Sequence, residues 1–154
     1  WDETRLARLF RSYGEERFAS QIARGIVRRR KRAPLETTFD LVDVIKGAVP
    51  AATQFGRGHP AKRVFQAIRI AVNDELGTLE HALPLLRNRL APNGVLTVIA
   101  YHSGEDRIVK QTFRKLEGAG FAALEPSPLP PGDDEVRANP RARSAKLRVL
   151  ERLT

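Results

Sequence analysis

The chain has 154 residues, a formal net charge of +9 and neither cysteine nor methionine. That length supports one sizeable core with a helical appendage, and the lack of cysteine excludes disulfides, thiolate metal sites and a cysteine nucleophile. No apolar run reaches the ~18 residues of a membrane-spanning helix, and the cation surplus, mostly arginine, points to a polyanionic partner or, equally, to a basic surface kept for solubility.

The first sixty residues read as helical. Leu6, Leu9 and Phe10 sit at helical spacing and Gly14 is a stop. Phe18, Ile22 and Ile26 mark a second amphipathic helix, which runs into Arg28-Arg29-Arg30-Lys31-Arg32 and must end before Pro34. Thr37 or Thr38 caps a third helix carrying Leu41, Val42, Val44, Ile45 and Val49, closed by Pro50. Residues 53–59 form a polar, Gly-containing loop. From Pro60 to Leu90 one long helical pattern carries Val64, Ile68, Val72, Leu76, Leu79, Leu83, Leu86 and Leu90 on a broad stripe, with a kink or break predicted at Pro84.

Asn93-Gly94 is a turn signal, and Val95 to Tyr101 reads as a buried strand. A helix follows from Glu105 to about Leu116, with Ile108, Val109, Phe113 and Leu116 on its apolar face. Residues 121–124 suit a short strand, residues 126–132 a Pro-rich loop, and the alternation from Lys146 to Leu153 a final strand. Three strands under one helix face leave a sheet edge open, which suggests further strands outside this chain.

Several clusters carry chemistry. His102, Ser103, Glu105 and Asp106 crowd the carboxyl end of a strand where it enters a helix, the place where open α/β sheets bind ligands. Ser103 with Asp106 also has capping-box spacing, the acidic pair suits the helix dipole, and Asp106–Lys110 is an ordinary helix pair, so a purely structural reading stands beside the catalytic one. Gln66, Arg69 and Asn73 share one helical face, either organising a site or simply solvated. Arg28, Arg29, Arg30 and Arg32, with Arg24 and Lys31, are denser than a helix end needs and suit RNA phosphates. Arg141, Arg143 and Lys146 form a second cluster after Asn139-Pro140, where a turn with Arg side chains could hold a phosphate or the arginines could pair with Glu105 and Asp106 to fix the site.

Two of these blocks carry a family resemblance. Tyr101-His102-Ser103-Gly104-Glu105-Asp106-Arg107-Ile108-Val109-Lys110 is similar to the F-H-S-L-E-D-R-I-V-K pattern of the ribosomal RNA small subunit methyltransferase H family, with Tyr for Phe and Gly for Leu. Asn139 to Arg148 reads N-P-R-A-R-S-A-K-L-R, the family's tail without a change. The segments His59-Pro60-Ala61, Phe65 to Leu76 and Tyr13 to Ala19 also resemble family blocks, in the same order.

The resemblance implies an enzyme that methylates N4 of a cytosine in 16S ribosomal RNA with S-adenosylmethionine. It implies an α/β fold: a helical substrate-recognition insertion over residues 1–57, then, over residues 58–154, the C-terminal part of a class I (Rossmann-like) methyltransferase sheet ending in an antiparallel strand. The Gly-rich cofactor loop of the family is not found here. The chain is therefore expected to be a C-terminal portion, with the S-adenosylmethionine site in a missing N-terminal half and no cofactor-binding residue of its own. The expected partner is 16S ribosomal RNA or the small ribosomal subunit, with no membrane, in the cytoplasm; a homodimer is left open.

The cytosine amino group is a poor nucleophile because its lone pair is delocalised into the ring. A site must accept hydrogen bonds from its hydrogens and align it with the methyl group, with the base unstacked. His102, Ser103, Glu105 and Asp106 are the candidates for lining such a pocket. The family's principal acceptor motif is expected in the missing half, which makes these four supporting residues. Two readings from other classes compete: a non-catalytic basic RNA-binding module, and a helical interaction domain using the stripe from Pro60 to Leu90.

Overall fold

The computed structural model describes residues 1–54 and 61–153. These residues form a mixed α/β chain of eight α-helices, one 3-10 turn and a three-stranded antiparallel sheet. It divides into two compact units, Trp1–Glu75 and Leu76–Thr154. The Gly56-Arg57-Gly58 stretch, the start of the His59-Pro60 block and the expected division at residue 57 lie outside the described residues.

The first unit is helical. Helix α1 (Glu3–Gly14) starts on Asp2, whose carboxylate accepts from the Arg5 N–H at 2.7 Å. Its end explains the Tyr13-to-Ala19 block. Glu15 takes a left-handed turn (φ 49°), and the buried Glu16 accepts from the Phe18 N–H at 2.9 Å at the start of α2 (Ala19–Arg30). Helix α3 (Thr38–Ala48) is capped by Thr37 in a reciprocal box with Asp40. The short α4 (Ala51–Gln54) and α5 (Ala61–Asn73) follow. Phe10, Ile22, Ala23, Ile26, Ile45, Val64 and Ala67 make one buried cluster, so α5 belongs with the first helices by packing and the compact unit runs through Glu75.

The long helix expected from Pro60 to Leu90 is two helices. It breaks at Asp74, which sits at φ 48°, and restarts as α6 (Glu75–Arg87). Asp tolerates the left-handed region better than most residues. Pro84 lies inside α6 without ending it. The expected stripe does not hold, because α5 buries Ala61, Val64, Ala67 and Ile70, which leaves Val72 off its buried face. Val64 and Leu83 are buried, whereas Val72 is 76% exposed and Leu86 48%.

The second unit holds strands β1 (Val95–Ala100), β2 (Phe121–Ala123) and β3 (Lys146–Arg152) in the order β1-β3-β2. Strand β3 runs antiparallel to both neighbours, pairing Val95 with Glu151 through Ala100 with Lys146, and Phe121 with Arg152. Helix α7 (Ser103–Leu116) packs on the sheet through Val109 and Phe113, which cluster with Leu83 and Leu150. Strand β1, expected to be buried, is buried on one face only. It alternates, with Val95, Thr97 and Ile99 exposed and Leu96, Val98 and Ala100 turned inwards, because α7 covers one face only. Between β2 and β3 lie the short α8 (Asp133–Ala138) and a 3-10 turn (Pro140–Ser144) whose entry is capped by Asn139. No helix among the described residues is long and apolar enough to cross a membrane.

Candidate functional site

The strand-end block is built around α7, but its cap lies one residue earlier than the spacing of Ser103 and Asp106 suggests. His102 is the capping residue. Its Nδ1 accepts from the Glu105 N–H at 3.3 Å, and the Glu105 carboxylate accepts from the backbone N–H groups of His102 at 3.2 Å and Tyr101 at 2.8 Å. A ring that accepts at Nδ1 carries its hydrogen on Nε2 when neutral. That nitrogen lies buried 3.3 Å from Glu105 Oε1, without a hydrogen bond among the described residues. His102 and Glu105 thus clasp each other and fix the turn, while the Ser103 side of the turn faces solvent.

Released from the cap, Asp106 turns to the sheet. The two-residue period of β3 puts Lys146, Arg148 and Leu150 on the face that α7 covers, opposite Ala100, Val98 and Leu96. Arg148 is buried; its Nε donates to Asp106 Oδ1 at 2.7 Å and its guanidinium also donates to Ser127 Oγ at 2.9 Å. Lys146 Nζ donates to Asp106 Oδ2 at 3.0 Å. Burial alone would raise the Asp106 carboxyl. The hydrogen bonds and charges of Arg148 and Lys146 outweigh it and hold the group below its ordinary value. Asp106 therefore joins the helix start, the last strand and the Pro-rich segment, and its partners are these cations of β3 rather than Lys110. The tail block serves the site through Lys146 and Arg148. Arg141 and Arg143 are exposed, and their guanidinium groups have no hydrogen bond or ion pair among the described residues.

Sequence reasoning passes over Arg148 because it alternates with apolar residues in a strand. Its inward parity with Leu150 is the available signal. The partner lies 42 positions away, beyond any local pattern.

The polar line of α5 also resolves. Arg69 Nε and a terminal nitrogen donate to the two Glu75 oxygens at 2.7 and 3.0 Å, and Asn73 Nδ2 donates to Glu75 Oε1 at 3.3 Å. Arg69 and Asn73 thus bind across the break at Asp74, and Gln66 lies half-buried on the same helix. In the basic run, Arg29 donates to the carbonyls of Ala33 and Pro34 and faces Asp40 at 3.7 Å. Arg30 donates to the Trp1 carbonyl at 2.7 Å, and the Arg5 guanidinium lies 4.0 Å over the Trp1 ring. Arg28 and Arg32 are exposed, with guanidinium groups free of bonds among the described residues, as is Arg8 on α1. The exposed cations of α1 are the part of this surface that a search for charge runs misses, because helical spacing separates Arg5, Arg8 and Arg11 in sequence.

Strand β1 thus ends in polar side chains at the start of the covering helix α7, with Lys146 and Arg148 of the last strand behind them, in a mixed α/β chain. Comparison makes the class specific: the chain belongs to the MraW methylase family, matched over residues 1–153. The protein of Heliobacterium modesticaldum called ribosomal RNA small subunit methyltransferase H is 50% identical over 167 residues, covering 98% of this chain and 53% of its own length. Proteins of the same name from Symbiobacterium thermophilum and Thermobifida fusca are 50% and 48% identical over 169 and 162 residues, covering 99% and 96% of this chain. The chain spans about half the length of these relatives.

Proposed function

We propose that this chain is part of an S-adenosylmethionine-dependent methyltransferase that modifies N4 of a cytosine in 16S ribosomal RNA, and that its share of the work is to receive RNA. One observation carries the reading: the family match runs over residues 1–153, with relatives named for methylating ribosomal RNA of the small subunit. The net charge of +9 and the free cations Arg8, Arg28, Arg32, Arg141 and Arg143 suit an RNA backbone.

The strand-to-helix turn at the head of α7 does not fit S-adenosylmethionine, because it is filled by its own side chains: a Cβ added at Gly104 would lie 3.2 Å from the His102 ring, and the Tyr101 and His102 N–H groups are taken by Glu105. No open cradle remains there for a ribose or a methionine. This reading places the cofactor on residues outside this chain, and no methyl-transfer step is derived through it. In this reading the residues up to 57 serve as the helical recognition part, and α5 packs with α1 and α3 of that part. The β1-β3-β2 sheet serves as the far end of a class I sheet, with the edge of β1, unpaired among the described residues, available to further strands.

Within the strand-end block the roles divide. His102 and Glu105 shape the turn, and Asp106 ties it to Arg148 and Lys146. These bonds support a role in positioning the loop. Ser103, exposed at the turn, is the member of the four that faces outward. The test is methyl transfer by the full-length protein from labelled S-adenosylmethionine to small-subunit RNA, followed by nucleoside analysis. Label in N4-methylcytidine is expected. Label absent from RNA, or only on another position, would sink the reading.

A further inference from the structure

We propose that the cleft beside the β1–α7 turn is a subsite for one unpaired RNA nucleotide, with its base against Tyr101 and its phosphate at Arg143. This rests on the RNA reading above and names the residues and the part of the ligand each one takes. The cleft has a volume of about 400 Å³ and is lined by Tyr101, Ser103, Pro128, Pro130, Pro131 and Arg143, among others. That volume falls in the range of small-ligand sites, about 300–1,000 Å³.

Each wall has a reason to hold its shape. The Tyr101 backbone is pinned by its N–H bond to Glu105, yet the residue stays 54% exposed, so the ring is displayed and not packed away. The prolines have fixed φ angles and present apolar ring faces. The 3-10 turn that carries Arg143 is set by the Asn139 cap and the buried Ala142. Ser127, one residue before the Pro-rich wall, is held by Arg148, so the Asp106 network braces the cleft from behind. An exposed aromatic ring beside apolar walls, with an unpaired guanidinium in the lining, matches a base on one side and a phosphate on the other. An apolar peptide would use the walls but leave the Arg143 charge unanswered. The carboxylates of Glu105 and Asp106 accept from backbone and from Arg148 and Lys146, and the two contacts proposed here, to Tyr101 and Arg143, read no base edge. The subsite therefore grips its nucleotide by stacking and charge, tolerant of base identity.

The experiment titrates this chain with a labelled single-stranded oligoribonucleotide of about six nucleotides, with Tyr101→Ala, Tyr101→Phe and Arg143→Ala variants whose melting temperatures are checked first. Tyr101→Ala should weaken binding about 5-fold or more, as expected for losing one base–aromatic stack. Tyr101→Phe keeps the ring and should bind like the parent. Arg143→Ala should lower the slope of log affinity against log salt by about 0.7. Unchanged affinity in Tyr101→Ala and Arg143→Ala, or binding of anionic vesicles but not of the oligonucleotide, would overturn the subsite. The methylation assay fails separately. If the full-length protein methylates RNA while both variants bind normally, only the subsite falls. If it methylates no RNA but this chain binds through Tyr101 and Arg143, the subsite stands.

Discussion

Asp106 and Arg148 are the residues on which the second unit turns. Both are buried, and each compensates the other's charge, with Lys146 and Ser127 completing the set. Removing one partner of a buried pair leaves an uncompensated charge and costs about 3–5 kcal/mol. Arg148→Met should therefore lower unfolding stability by about 3 kcal/mol, the low end of that range because Lys146 stays. Lys146→Ala, with that side chain 45% exposed, should cost about 1 kcal/mol or less. Urea unfolding of the two variants checks the order, and equal losses would mean that the pair is not the anchor. The pH dependence has a definite sign. The Asp106 carboxyl is held below its ordinary value of 3.8 in the folded chain, so the unfolded state takes up the proton first. The stabilisation is complete above the unfolded value and is lost as pH falls through the folded one. Urea midpoints should drop with acidification below about pH 4, and Asp106→Asn should flatten that part of the curve from a lower starting stability.

At the scale of elements, close approach decides which helices touch. A Cβ at Gly14 would lie 2.6 Å from the Arg63 carbonyl oxygen and 3.4 Å from the Ala67 Cβ, so the end of α1 meets α5 backbone against backbone. Gly14→Ala should therefore destabilise the first unit by about 1–3 kcal/mol. Gly47, inside α3, is the opposite case, because a Cβ there would meet nothing within 4 Å. Gly47→Ala should stabilise by about 0.5–1 kcal/mol. Thermal melts of the pair should move in opposite directions. Most elements are legible from periodicity, because Ile22 and Ile26, or Val109 and Phe113, repeat on faces that do become buried. The break at Asp74 is not, since a left-handed residue leaves no periodic mark and Pro84 draws the expectation too far along the chain. The cap of α7 falls one residue before its expected place because a histidine ring can accept like a serine hydroxyl. The pairing of Asp106 with Arg148 needs the sheet register, which no local pattern supplies. The four strand-end residues are legible as a cluster, and their division into clasp, anchor and outward face comes from three-dimensional contacts.

For the whole molecule, a surplus of nine positive charges is spread unevenly in its availability. Arg29 is engaged with two carbonyls and Asp40, and Arg30 with the Trp1 carbonyl, whereas Arg28 and Arg32 project from the same helix end with guanidinium groups free among the described residues. Density of charge in the sequence therefore overstates the number of phosphates this run can meet. Each neutralised RNA contact contributes about 0.7 to the dependence of log affinity on log salt for a single strand. Replacing Arg28 and Arg32 together by Gln should lower that slope by about 1.4 while leaving the melting temperature in place. Replacing Arg29 alone should do the reverse: the slope stays, and stability falls because two carbonyls at the end of α2 lose their donor. The measurement is a salt series of oligoribonucleotide titrations on each variant, paired with melts. A slope that falls equally for Arg29 and for Arg28 would show that the engaged side chain releases its bonds to reach RNA. A slope unchanged in the double variant would remove this helix end from the RNA surface and leave its cations to the helix dipole.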